Sequence, residues 1–258
     1  ATEYQDRRTY LIINILPEDV LHYPPPRRPD RSGPTKEREL ISFIERTDFP
    51  CVGAKSALNQ GGLYILHARS LTSAWNDVAL HTAVVRFAEE HGNRKRGFRS
   101  LIILFEGPLN LSERNYEKYL WERLQSWTDK DVWLGYKNDA SVSSDPKDTH
   151  FSLSFGGHAF FAVGLHPRAS RKARRFFKPA IVLNLHSQFQ NLRDQGKYEG
   201  MRKAILQRDR KFQGSINPML SRFGTSSEAP QYSGRKVDNN WQCPFKRREL
   251  QGNTEDHK

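Results

Sequence analysis

The chain has 258 residues, 36% of them hydrophobic, a formal net charge of +12 and a pI near 9.8. That length buries a sizeable core as one domain without disulfide or metal staples. With no apolar run near the about 18 residues a membrane span needs, and no signal-peptide order at the N-terminus, a soluble cytoplasmic protein without a membrane partner is expected.

Residues 1–35 open with an apolar run, Tyr10 to Leu16, and break into a proline-rich stretch, an arm in extended polyproline-like chain. From Thr35 the spacing of Leu40, Ile41, Phe43 and Ile44 predicts a helix ending before Phe49-Pro50-Cys51. GGLYILHA predicts a short strand, and Ser73 to Glu90 a helix carrying Trp75, Val78, Val85 and Phe87. Ser100 to Phe105, SLIILF, has the length and continuous apolarity of a central strand covered on both faces. Ser112 caps a predicted helix to Trp127, whose aromatic stripe reads as core rather than as a cofactor box.

His150 to Phe189 is the stretch around which the rest is organised: two apolar runs about Gly156-Gly157, a basic loop, and a third apolar run. It predicts a three-stranded meander with His166 and His186 at strand ends near one rim. Helices follow over Ser187 to Gln195 and Tyr198 to Phe212, broken at Gly196, and a polar tail from Gln213 is expected to wrap the domain. Strands and helices mix without regular alternation. The fold class is therefore α+β: a single domain, a mostly antiparallel central sheet flanked by helices, and extended N- and C-terminal arms. The divisions are a Pro-rich arm at 1–35, a domain at 36–245 and a basic flexible tail at 246–258.

The basic excess lies in clusters, including Arg94-Lys95-Arg96 and Arg168 to Arg175. No zinc-finger spacing, recognition-helix pattern or RNP aromatic motif accompanies them, so nucleic acid is not the expected partner. HPRASRKARR groups Arg168, Arg171, Arg174 and Arg175 closely enough to clamp carboxylates or phosphates, though an exposed basic loop would look the same. Histidines at strand ends could ligate a metal, or be ordinary hydrogen-bonded residues. Cys51 and Cys243 are expected as free thiols; Cys51 in its turn could ligate iron or fill a small apolar space. Glu106 and Glu228, near glycine or proline turns, are carboxylates that could receive a cation, surface residues being the plainer reading.

FPCVGAKSA, FEGP, HFSLSFGGHAFFAVGLHPRASRKARRF, VLNLHSQFQNLR, LQRDRKFQGSINPML, SEAPQYSGR and WQCPF together resemble the YqcI/YcgG family over residues 36–245. Within it they are most similar to haem-dependent N-hydroxylases of guanidino compounds. The resemblance implies a haem b cofactor and a monooxygenase, using O2 with an external reductant or else peroxide. The implied substrate is L-arginine or a close derivative, in specialised-metabolite biosynthesis; a haem-binding sensor or carrier without oxygenase activity is the alternative. It ranks His166 first as axial ligand, then His186 and Cys51, with His186 otherwise in the distal pocket as a catalytic residue. Arg168, Arg171 and Arg175 would hold the propionates. Glu106, then Glu228, would receive the guanidinium, and Arg235 an α-carboxylate. The implied partners are the guanidino substrate and an external electron donor, and a homodimer is an admissible assembly.

Overall fold

The computed structural model describes residues 24–94, 97–220 and 222–248. The apolar run Tyr10 to Leu16 and the last ten residues of the basic tail lie outside them. In chain order the elements are α1 (Thr35–Glu45), α2 (Val52–Asn59), β1 (Leu63–Ser70), α3 (Asp77–His91), β2 (Ser100–Gly107) and α4 (Glu113–Trp133). Then follow β3 (Leu153–Phe155), β4 (His158–Leu165), β5 (Ala180–Leu185), α5 (His186–Asp194) and α6 (Tyr198–Gln213), with short 3₁₀ turns at Lys172–Arg174 and Ala229–Gln231.

The strands form one sheet in the order β1-β2-β5-β4-β3. Only β1 and β2 run parallel, joined through α3; the other pairings are antiparallel, giving the expected α+β, mostly antiparallel architecture. Gly156 and Gly157 make the two-residue turn of the β3–β4 hairpin with φ of 59° and 77°. A turn with two left-handed residues matches the twist of the flanking strands, and glycine takes it without steric penalty.

SLIILF lies between two strands and is buried on both faces, as its composition predicts. Leu101, Ile103 and Phe105 join a core with α3, α4 and the C-terminal tail, where Trp127, Phe87 and Tyr232 are fully buried. Ile102 and Leu104 point the other way, toward Leu40, Ile44, Phe49 and Ala57 of α1, α2 and their connection. The period-two alternation of a strand thus builds two separate layers. The tail wraps the first layer: the Gly164 amide donates to the Tyr232 carbonyl at 2.7 Å, and Phe245 is buried.

Three expectations shift. The helix expected from Ser73 begins at Asp77, leaving Trp75 exposed; a turn, with the Trp75 amide donating to the Ser73 hydroxyl, occupies the intervening residues. α4 runs six residues beyond Trp127, to Trp133, because Asp131 is held inside by His81 and by the Gly156 amide. His166 and His186 do not share a rim. β4 and β5 are antiparallel neighbours with Leu165 opposite Ala180 and Phe160 opposite Leu185, so their C-terminal ends lie at opposite edges.

Candidate functional site

The second face of the sheet is incompletely covered. α1 and α2 pack over its β1 side and α5 and α6 over its β4 side, leaving a cavity of about 250 Å³. Its floor is the sheet itself, through Ile102, Phe161, Val163, Leu165 and Val182, with Ser100 hydrogen-bonded to Asn184 at 2.7 Å. α6 closes the roof. Although its sequence carries Met201, Ala204, Ile205 and Leu206, its one buried residue is Asp209. Those apolar side chains are half-buried because Met201 and Ile205 look into the cavity rather than onto packed protein.

Phe161, Phe189, Met201, Ile205 and Leu220 also line an annex of about 140 Å³. Its polar groups are His186, Arg193, Tyr198, Arg202, Glu228 and Gln231. His186 is 4% exposed and its Nε2 has no hydrogen-bond partner among the described residues; Glu228 is 7% exposed and its Oε2 is likewise unpartnered. Burial pushes the His186 imidazole down to about 4, with the Arg193 guanidinium acting in the same direction, so it is neutral at pH 7. Burial pushes the Glu228 carboxyl up to about 7, opposed by Arg193. Buried polar atoms without partners cost about 1–3 kcal/mol each, so a water or ligand group that met this pair would be favoured there.

Cys51 lines the main cavity. It is the N-cap of α2, and its Sγ accepts a hydrogen bond from the Ala54 amide at 3.4 Å. Burial pushes the thiol up, while the amides of Ala54 and Gly53 and the Arg174 charge pull it down. A coordinated metal would remove the proton outright.

Arg171 also lines the main cavity, whereas His166, Glu106, Arg168, Arg175 and Arg235 line neither it nor the annex. His166 lines none of the cavities described; it is buried, stacked on Tyr116 with ring centroids 4.2 Å apart, and closes the loop after β4 by donating its amide to the Arg174 carbonyl. Burial lowers its pKa to about 4, and its Nδ1 has no hydrogen-bond partner among the described residues. Glu106, 53% exposed, is paired with Lys36 and Lys178 outside both cavities, which holds its carboxyl below the usual range. Arg235 pairs with Glu117 of α4, Nε to Oε2 2.7 Å, in a separate polar groove.

Most of the arginine cluster is engaged within the fold. Arg168 donates to the Asn110 carbonyl, Arg171 pairs with Asp209, and Arg175 donates to the Ala169 and Ser170 carbonyls. Arg174, buried and lowered to about 10 by burial but still charged, donates to the carbonyls of Gly164, Gln231 and Tyr232. Haem fits part of what is present: an apolar slot with a thiol in its wall and unpartnered buried atoms in its annex. The three arginines expected to clamp the propionates are each engaged with the protein's own acceptors, Arg168 with the Asn110 carbonyl, Arg171 with Asp209 and Arg175 with the Ala169 and Ser170 carbonyls, which leaves them few free donors. Arg193 and the α6 lining escaped the sequence reading; the spacing 186, 189, 193 on one helix face was the signal available.

No described helix is long and apolar enough to cross a membrane. No curated protein and no solved structure matches this chain. One family model does, over residues 40–246, close to the 36–245 span expected from the motifs. The chain belongs to the YqcI/YcgG family.

Proposed function

We propose that this YqcI/YcgG protein is a haem-dependent monooxygenase that N-hydroxylates a guanidino group, with L-arginine or a close derivative as substrate. The reading rests on one observation above all: an apolar slot bearing a thiol runs into an annex where a neutral histidine and a carboxylic acid keep unpartnered buried atoms.

The residues divide the work. Cys51, in the wall of the slot and at a helix N-terminus, would hold the haem iron ahead of His186, which sits in the annex, and of His166, which lines neither cavity. Bound haem supplies the oxidising chemistry: one oxygen atom enters the N–H bond, with two electrons and two protons from an external donor if O2 is used and none if peroxide is used. A guanidinium is planar and permanently charged, so a buried carboxylate is its natural partner. Glu228 takes that role, ionising as the cation arrives. His186, neutral at pH 7, presents its unpartnered Nε2 to the same group and, in the tautomer that leaves this nitrogen bare, accepts an N–H and can hold a proton from the nitrogen that reacts. Phe161, Phe189 and Leu220 keep water from this end.

The test is reconstitution with haem, followed by incubation with arginine and either a reductant with O2 or peroxide, and mass detection of hydroxyarginine. Product formation supports the reading. Haem uptake without hydroxylation of any guanidine would leave a binding module, and absence of haem uptake would remove both.

A further inference from the structure

A second, polar pocket of about 520 Å³ adjoins the main cavity, with Phe98 in the wall of both. α2 and α5 each contribute to both spaces. From α2, Gly53 and Ala54 face the main cavity; Ser56 on the same helix and Gln60 at its C-cap face the pocket. On α5, residues 186, 189 and 193 face the cavity and its annex, while 188, 191 and 192, with 195 just past the helix, face the pocket. At about 100° per residue these are two stripes on different sides of one helix, so the pocket, the slot and the annex follow one another around α5.

The pocket carries donors and no acid. Among the described residues its lining is Ser56, Gln60, Gln188, Asn191, Gln195 and Lys197, beside Gly97, Phe98 and Leu192. Gln188 is 7% exposed, and its amide orientation is fixed: Oε1 accepts the Arg99 backbone N–H at 2.7 Å, so Nε2 is the end left over. That Nε2 is buried with no hydrogen-bond partner among the described residues. The Lys197 ammonium, at the N-cap of α6, reaches Gln195 Oε1 at 3.1 Å and adds a positive charge at the same mouth.

We infer that this pocket is a carboxylate subsite, in which Gln188 Nε2 and the Lys197 ammonium hold the acid group of a molecule whose body extends past Phe98 into the main cavity. The inference builds on the proposed function, which offers two carriers of that acid: a propionate of the haem, for which the arginine loop has few free donors, or the α-carboxylate of the amino-acid substrate. An amide donor fixed by its other end, next to a flexible cation, discriminates an acid from its ester or its decarboxylated analogue.

The variants are Gln188→Glu, which keeps the oxygen that accepts from Arg99 and turns the donor into an acceptor, and Lys197→Met, at an exposed position. Two titrations separate the carriers: haemin against its dimethyl ester, followed by the Soret band, and arginine against agmatine, followed by calorimetry on protein with and without haem. A tenfold or greater weakening of haemin but not of the ester assigns the pocket to the propionates. The same selectivity for arginine over agmatine assigns it to the substrate. Equal effects on acid and analogue, or no effect in both titrations, overturn the subsite. Wild-type protein that takes up no porphyrin would sink the haem reading alone, since the calorimetric comparison still decides the subsite.

Discussion

His186 and Glu228 line the same annex, and each keeps one side-chain atom, Nε2 and Oε2 respectively, buried without a hydrogen-bond partner among the described residues. Burial drives both toward neutrality, the imidazole by losing its proton and the carboxyl by keeping one. On the proposed reading, an arriving guanidinium would reverse the second effect and exploit the first.

The proposed guanidinium site should therefore bind in a pH-dependent way. The Glu228 carboxyl, held up to about 7, must ionise to pair with the cation, so binding weakens by up to about tenfold per unit as pH falls below that value. Calorimetry across this range should show the slope in the wild type. Glu228→Gln should bind more weakly and lose it; a variant that retains both slope and affinity would place the cation elsewhere.

Stability carries the same signature. Because the folded state holds the Glu228 proton more tightly than the unfolded chain, whose pKa is near 4.5, this stabilisation is complete below 4.5 and is lost as pH rises through about 7. His186 acts in the opposite sense: its contribution is present above 6.5 and lost as pH falls through about 4. Denaturant melts of Glu228→Gln against wild type should diverge as pH rises from 4.5 to 7, the variant gaining relative stability of order 1–3 kcal/mol at the upper end.

Arg174 tests whether the basic loop serves the fold. Its guanidinium joins the β4–β5 loop to the tail through three backbone carbonyls. Arg174→Met removes this donor from all three, the Tyr232 carbonyl keeping the Gly164 amide, and should destabilise by about 1–3 kcal/mol. Reduced haem affinity with an unchanged melting midpoint would instead give this arginine a role at the cofactor.

Close packing at Gly164 sets a second limit on the fold. A Cβ there would stand 2.7 Å from the Tyr116 ring and hydroxyl and 2.9 Å from Leu120. Tyr116 is fully buried and donates to the Ala180 carbonyl at 2.7 Å, so it has little room to yield. Gly164→Ala should lower stability by about 1–3 kcal/mol, read from a shift in denaturation midpoint at constant slope.

The layers of the fold were legible because their signals are periodic. SLIILF reads as a buried strand, Gly156-Gly157 as a turn and Gly196, with φ of 66°, as the break between α5 and α6. The site was less legible because cavities arise from what fails to pack. Nothing in the spacing of Met201 and Ile205 says that they face open space, nor that Arg174 spends its donors on carbonyls. The separation of His166 from His186 could have been read, since consecutive strands of a meander end at opposite edges. The locations of Glu106 and Arg235 followed from ion pairs with Lys36, Lys178 and Glu117, distant in sequence.

The most direct test is the optical spectrum of the haem-loaded protein, reduced and treated with carbon monoxide, in wild type, Cys51→Ser and His186→Ala. The expected result is the red-shifted Soret band of a thiolate ligand in wild type and His186→Ala. It should be lost in Cys51→Ser, with hydroxylation failing in both variants. A wild-type band of the histidine-ligated kind that vanishes in His186→Ala and survives in Cys51→Ser would contradict the assignment.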